Sequence, residues 1–394
     1  MLTLNKNIIS LKTENHNYHL KNIITGQGIE INQETLEFIR QFELGLTLED
    51  IESKFGLEKE EIEPIVSTLI RLGILNSDSD TNQNEIINDT FFEKKGSNFS
   101  FFDSANEPIN ESQIGLLGIS YDGAVTGISG TKLAPNKIRQ YTSGYTSTIT
   151  NIDEVDKTYT LTSSIYNKSL VFDAGNILYV PGESSYSLHN RVKNAYSFLK
   201  NTYNNIFFAI GGDHSITAPI LESFDTKEVT LVKIDAHYDA VIPYKNQPVN
   251  HNNFISKVRD QPNIKQIIHL GVRESLTPSM ELLNDKVITA EEIIQNQWVD
   301  KLQQYLDVND NVYISIDVDV LDPSVVQGTG YLLPFGLKLE QLNDLIGYFN
   351  QFSIIGLDIV EFNPLLDKNN QTLYAILNII ENTIRQLIKK EAYQ

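Results

Sequence analysis

Residues Ile206 to Asp239 read IFFAIGGDHSITAPILESFDTKEVTLVKIDAHYD. Two apolar, β-branched-rich runs, Ile206 to Ile210 and Val229 to Ile234, flank a helical segment, as expected of buried strands in a parallel sheet. Each run stops abruptly in acids and imidazoles: Asp213 and His214 after the first, Asp235, His237 and Asp239 after the second. A third run, NVYISI, stops in Asp317 and Asp319. Ligands of open α/β sheets bind beyond the carboxyl ends of the strands. Three neighbouring strand ends therefore pool two His and at least four Asp in one crevice. Asp235, His237 and Asp239 stand at i, i+2, i+4, and on a strand that continues past its paired region the period of two aims all three one way. Asp317 and Asp319 repeat the spacing. One Asp pair alone is most simply a solvated strand end. Three clusters at the end of a buried sheet need neutralising charge, which a pair of divalent cations supplies. Oxygen ligands with one imidazole per cation suit Mn²⁺, with Mg²⁺, Co²⁺ or Fe²⁺ as alternatives and Zn²⁺ less favoured.

Outward from this stretch, IGLLGIS (from Ile114), LVFDAGNI, IIHLGVRE and SIIGLDIVEFNP read as further strands, and Leu188 to Leu199 and Leu373 to Lys389 as helices. Alternation of strands and helices from 114 to 394 predicts an α/β fold, a parallel sheet with helices on both faces. Gly127 and Gly130 lack the spacing and the later acid of a dinucleotide fingerprint. Residues 141–170, rich in Thr, Ser and Tyr, read as an insertion near the mouth of the site.

Residues 1–76 read as a separate small α+β module, and 77–112, dominated by Ser, Asp, Asn, Thr and Gln, as a polar linker whose FFEKKGSNFSFF patch is able to pack on either side. Tyr18 to Ile31 suggests a hairpin with Gly26 and Gly28 near its turn. Asn32 is placed to cap a helix through TLEFIRQF, with Leu36, Ile39 and Phe42 on one face. Thr47 is placed to cap a short helix ended by Gly56, and a longer helix carries Ile62, Val66, Leu69 and Ile70 towards Gly73. Three short helices after a hairpin suggest a winged-helix-like module. The segment is acid-rich and has no basic recognition helix, which argues against DNA; the plainer alternative is a regulatory or oligomerisation cap. The order hairpin, helix, TLEDIESKFGLEKEEIEPIVSTLIRLGIL resembles the PqqD-like precursor-recognition domain, which binds leader peptides of ribosomally made, modified peptides. That resemblance implies a precursor peptide as partner, its leader adding as a strand to the sheet edge.

The chain has 394 residues, 41% of them hydrophobic, enough for two or three domains with a large core. It has no Cys, which excludes disulfides, zinc-thiolate sites and thiol nucleophiles and fits a reducing cytoplasm. No signal-peptide pattern opens MLTLNKNIISLK, and no run reaches the roughly 18 apolar residues of a membrane span. A formal charge of −20 disfavours nucleic acid and anionic membranes as partners and favours a cationic substrate.

GGDHS, DAHYD and SIDVDVLDPSVVQGTG resemble the three signatures of the ureohydrolase family, which includes arginases and agmatinases; DIVEFNP resembles a fourth, and Gly127 to Arg139 the family's first loop. The resemblance covers roughly residues 113–390 and gives the domain 113–394 an arginase-like fold. It implies two Mn²⁺, one held by His214, Asp235, Asp239 and Asp317, the other by Asp235, His237, Asp317 and Asp319, with Asp235 and Asp317 bridging. Two cations about 3.5–4 Å apart share and activate a water. Asp239, at the metal edge, is then placed to take its proton and pass it to the leaving amine. Glu361 matches the family glutamate that pairs with the guanidinium, a fork donor that needs a carboxylate, and His251 the loop histidine that shuttles protons. Taken alone, Glu361 is equally an exposed strand-end acid and His251 a surface-loop histidine. The family also implies a homo-oligomer.

Departures from the family bear on the substrate. Arginases hold the α-groups of free arginine with an Asn, a Ser and an Asp at positions that here carry Val241, Gln247 and Leu276. Unpaired zwitterion charges are costly in a confined site, so free arginine is disfavoured. With the leader-binding resemblance, this points to arginine residues within a peptide, converted to ornithine residues and urea, as in the peptide arginases of ribosomal peptide pathways. The alternatives are an agmatinase-like hydrolase of a small guanidine with a regulatory N-terminal domain, and a non-catalytic peptide-binding adaptor, which the complete set of metal-ligand positions disfavours.

Overall fold

The apolar runs become the middle of one sheet. A computed structural model describes residues 2–5, 8–13, 17–22, 28–44, 46–56, 59–77, 91–92, 114–142, 171–180, 183–203, 205–224, 227–244 and 247–392. The chain divides into two units, Met1–Phe92 with Val180–Gly182, and Glu93–Tyr179 with Glu183–Gln394. The division falls inside the stretch read as a linker. Most of that linker, including all but Phe91 and Phe92 of its aromatic patch, and residues 143–170 of the expected insertion lie outside the described residues.

In the N-terminal unit, β1 (Leu2–Leu4) pairs antiparallel with β5 (Leu75–Ser77), and β2 (Ile8–Lys12), β3 (Tyr18–Asn22) and β4 (Gly28–Ile31) form an antiparallel sheet in that order. The expected hairpin is β3–β4; its turn lies outside the described residues. The helices follow the cap signals. Asn32 accepts the Thr35 N–H at 2.8 Å ahead of α1 (Gln33–Arg40). Thr47 and Asp50 form a reciprocal capping box on α2 (Leu48–Phe55), which Gly56 ends at φ 64°. α3 (Lys59–Arg71) runs up to Gly73, also left-handed. Leu20, Ile31, Leu36, Ile39, Phe42, Ile51, Ile62, Val66 and Leu69 share one core. The sequence reading missed the short strands β1, β2 and β5, whose alternation spans too few residues to register.

In the second unit, eight parallel strands form one sheet: β6 (Ile114–Ile119), β7 (Val171–Ile177), β8 (Ile206–Gly211), β9 (Val229–Ile234), β10 (Ile264–Val272), β11 (Lys286–Thr289), β12 (Asn311–Asp317) and β13 (Ser353–Val360). Their order across the sheet is β11-β10-β9-β12-β13-β8-β6-β7. Strands and helices alternate along this unit, giving the α/β fold with a single parallel sheet expected for residues 113–394. β6 and β9 are buried along their whole length, as expected of central parallel strands covered on both faces. Helices Ser185–Thr202 and Gln371–Ala392 extend those expected by a few residues at each end. Strand β11 and helix Leu339–Tyr348 were not foreseen. The expectation of three neighbouring strand ends needs correction: β9 and β12 are adjacent, but β8 is separated from them by β13, which brings Glu361 into the same crevice. No described helix is long and apolar enough to cross a membrane.

Candidate active site

The carboxyl ends of β9, β12, β13 and β8, adjacent in that order, supply the site. The strands do not continue past their paired regions. Instead, Asp213, Asp235 and Asp317 each turn the chain by accepting, on Oδ1, the N–H two residues on: Ser215 at 3.0 Å, His237 at 2.6 Å and Asp319 at 2.9 Å. Such side-chain turns break the extended period. Val318–Val320 is a 3₁₀ turn and Asp239 is left-handed, at φ 52°. The clusters converge through these turns and not through the strand period. The loops interlock where Gly212 sits: Asp213 N–H donates to the Tyr121 carbonyl at 2.9 Å and Glu361 N–H to the Gly212 carbonyl at 2.9 Å. A Cβ on Gly212 would lie 2.0 Å from the Tyr121 oxygen, so no larger residue fits this approach.

Two groups of side chains are close enough to hold cations. His214, Asp235 and Asp317 offer one ligand atom each within 4.8 Å of one another, as do Asp235, His237 and Asp319. Asp235 is common to both groups; Asp317 belongs to the first. His214 Nδ1 lies 3.1 Å from Asp235 Oδ2, 3.2 Å from Asp239 Oδ2 and 3.2 Å from Asp317 Oδ2. His237 Nδ1 lies 3.0 Å from Asp319 Oδ2. The His214 tautomer is set from behind. Ser315 donates to Asp358 Oδ1 at 2.6 Å, so its oxygen accepts from His214 Nε2, 2.9 Å away. The lone pair of Nδ1 then faces three carboxylates, an arrangement that a divalent cation completes. Electrostatics agree. Burial, with Asp319 and Asp235 close by, pushes the Asp317 carboxyl well above its usual range, and burial with Asp235 nearby raises Asp319. Burial also opposes charge on Asp235, but Lys233 and the imidazoles outweigh it and hold that carboxyl well below its usual range. Burial disfavours charge on His214 and His237, yet the surrounding carboxylates raise both, His237 to about 12. The field that draws protons to these rings is the field a pair of divalent cations would meet.

The crevice has a volume of about 200 Å³ and is lined by His214, His237, His251, Asp239, Asp317 and Asp319, with Val241, Asn252, Glu274, Met280 and Tyr331 among its other walls. Its size suits the end of one side chain more than a drug-sized molecule. Glu361, left-handed at φ 64°, enters from β13; strain of this kind in a non-glycine residue is typical of functional sites. Its Oε1 accepts the His214 N–H at 2.8 Å and faces His251 Nδ1 at 3.1 Å, and Oε2 takes no hydrogen bond among the described residues. Burial works against a charged His251, and Glu361 outweighs it to raise the pKa. Protonation at Nε2, however, would confront the Thr126 N–H, 2.9 Å away. All eight predicted site residues meet in this crevice or in its wall. Of the positions that bear on free arginine, Val241 lines it, Leu276 is exposed, and Gln247 lies in a separate groove with Ile242 and Lys257.

Sequence reasoning overlooked Lys233. Fully buried in β9, its Nζ lies 2.5 Å from Asp235 Oδ2, 3.1 Å from Asp239 Oδ2 and 2.7 Å from the His237 carbonyl. Burial opposes its charge, and the carboxylates of Asp235 and Asp239 more than restore it. A legible signal existed: a lysine inside an otherwise apolar buried strand needs a carboxylate partner, and Asp235 stands two residues on.

Residues 112–385 match the model of the Arginase family. An agmatinase of Bacillus anthracis is 26% identical over 298 residues, 73% of this chain and 96% of that protein. The agmatine ureohydrolase of Thermoplasma volcanium, 24% identical, superposes with a TM-score of 0.62 over 76% of this chain and 97% of its own. The proclavaminate amidino hydrolase of Streptomyces clavuligerus, 23% identical, gives 0.63 over 75% and 98%.

Proposed function

Because the chain belongs to the arginase family, a family of hydrolases that act on guanidino and amidino groups, we propose that it hydrolyses arginine residues held within a ribosomally made precursor peptide, releasing urea and leaving ornithine residues. The observation that carries this reading is the wall of the crevice. Acids surround the place for a guanidinium, while Val241 and Met280 offer only apolar surface, and neither Gln247 nor Leu276 lines it. A free α-amino and α-carboxylate would lack the polar partners that arginases place at the positions of Val241, Gln247 and Leu276; an arginine whose α-groups are in amide bonds needs none.

The donor set fits a pair of divalent cations, which we assign as Mn²⁺ from its oxygen-rich character. His214, Asp235, Asp239 and Asp317 would hold one ion; Asp235, His237, Asp317 and Asp319 the other. When bound, the pair activates water for attack on the guanidinium carbon. Glu361 Oε2 accepts guanidinium N–H groups and orients the carbon. Asp239 takes the proton from the attacking water and hands it to the departing amine, and His251 exchanges protons with solvent. The N-terminal unit, PqqD-like in its order of elements, binds the leader on a sheet edge at β2 or β4, each of which pairs only with β3 among the described residues.

The second reading is an agmatinase-like enzyme. The resemblance to the Bacillus anthracis agmatinase favours it, and agmatine also lacks a carboxylate. Urea release from an arginine-containing peptide with blocked ends, compared with agmatine and free arginine, separates the readings. Release from the peptide alone is expected; release from agmatine alone would refute the peptide reading.

A further inference from the structure

One exposed side chain bears directly on His251. Thr126 lies in the loop after β6. Its backbone N–H donates to His251 Nε2 at 2.9 Å, and its hydroxyl oxygen lies 2.8 Å from the same nitrogen. Asn252 Nδ2 donates to that hydroxyl oxygen at 2.9 Å. Because the backbone N–H already makes Nε2 an acceptor, the hydroxyl hydrogen is directed to it, the Tyr331 hydroxyl being farther off at 3.4 Å. Two donors on one ring nitrogen make it the unprotonated one, and the ring proton then sits on Nδ1, facing Glu361 Oε1 at 3.1 Å. Turning the ring over would put carbon at both places and forfeit these bonds. The loop is held at its ends. Gly130 N–H donates to Asp122 Oδ2 at 2.8 Å, and Asn363 Nδ2 donates to the carbonyls of Ile128 and Ser129, each at 3.2 Å.

We infer that Thr126 is a positioning residue that fixes both the orientation and the Nδ1–H tautomer of His251, and through it the carboxylate of Glu361. The inference rests on the roles proposed above for His251 and Glu361. Without the hydroxyl, only the backbone donor selects the tautomer. In the other tautomer a lone pair faces Glu361 Oε1 and the carboxylate loses one of its two anchors. A single neutral hydrogen bond of this kind corresponds to roughly a three- to tenfold effect.

The test compares the metal-loaded full chain with Thr126→Val, which keeps the shape and loses the hydroxyl, and Thr126→Ser, which keeps it. Urea release from a blocked arginine peptide and from agmatine is expected to show kcat lowered about three- to tenfold in the valine variant, with KM little changed. Serine should restore the rate. Ring ¹⁵N shifts of His251, assigned by loss of the signal in His251→Gln and recorded with diamagnetic Mg²⁺, should show protonated Nδ1 and bare Nε2 in the wild type and the serine variant, and a shift towards the other tautomer in the valine variant. Unchanged kcat in the valine variant, or a protonated Nε2 in the wild type, would overturn the inference. Urea from agmatine alone would defeat the peptide reading and leave this comparison intact, and the ring shifts need no substrate at all.

Discussion

Lys233 Nζ lies 2.5 Å from Asp235 Oδ2, on the carboxylate that both cation-binding groups share. Lys233 is the penultimate residue of β9 and Asp235 opens the turn after it, so the ammonium reaches into the ligand cluster. It is a fixed positive charge in a site built from four carboxylates.

Lys233→Met should therefore act oppositely on the two states of the protein. Without cations, the carboxylates lose their internal counter-charge, and removing one partner of a buried pair costs about 3–5 kcal/mol. With cations, competition for Asp235 Oδ2 and Asp239 Oδ2 is relieved. The melting temperature of the metal-free variant should drop well below wild type, and saturating Mn²⁺ should recover most of the loss, with tighter binding by titration calorimetry. An unchanged metal-free melting temperature would show that Lys233 does not balance the cluster.

Because Asp235 belongs to both groups and Asp319 to one, Asp235→Asn should lose both ions and all urea release. Asp319→Asn should mainly empty one site. Metal analysis after gel filtration distinguishes these outcomes, and two ions retained by Asp235→Asn would refute the shared role.

His189 predicts a pH effect on stability. Burial holds its pKa down at about 4, and its Nε2 bonds to Ser215 at 3.2 Å. The unfolded ring, with a pKa near 6.5, binds protons that the folded ring refuses, so stability rises with pH between these values. The neutral ring's contribution is complete above about pH 6.5 and is lost as pH falls towards 4, amounting to about 3 kcal/mol. Denaturant melts of His189→Gln should show a shallower decline than wild type across that window; parallel declines would assign the acid sensitivity elsewhere.

Deleting residues 1–76 should leave both ions bound, because every cation-binding side chain lies in the second unit. Tethering by a leader raises the effective concentration of nearby arginines to about millimolar. The truncated enzyme should therefore show a raised apparent KM on a leader-containing precursor with little change in kcat. Equal rates for full-length and truncated enzyme, with and without leader, at sub-saturating peptide would remove the leader-binding role.

Much of this was legible along the chain. Seven of the eight strands of the large sheet, all but β11, were read from their apolar runs, most with nearly the observed bounds, because a strand buried on both faces is largely apolar. The caps Asn32, Thr47 and Gly56 were legible because capping acts within four residues. So were the acids and imidazoles at the strand ends, since ionisable residues that abut a buried run need a purpose.

Tertiary structure decided the rest. Strand order put β13 between β12 and β8 and so set Glu361 beside His214; order depends on how crossovers pack, which no local period records. His251 and Glu361 meet across 110 residues, and Thr126 reaches His251 across 125. The strand ends turn on side-chain hydrogen bonds to the backbone where a period of two would have carried them straight on. Local patterns state what each segment buries, whereas the hydrogen bonds that aim a functional side chain join atoms that are neighbours only once the chain has folded.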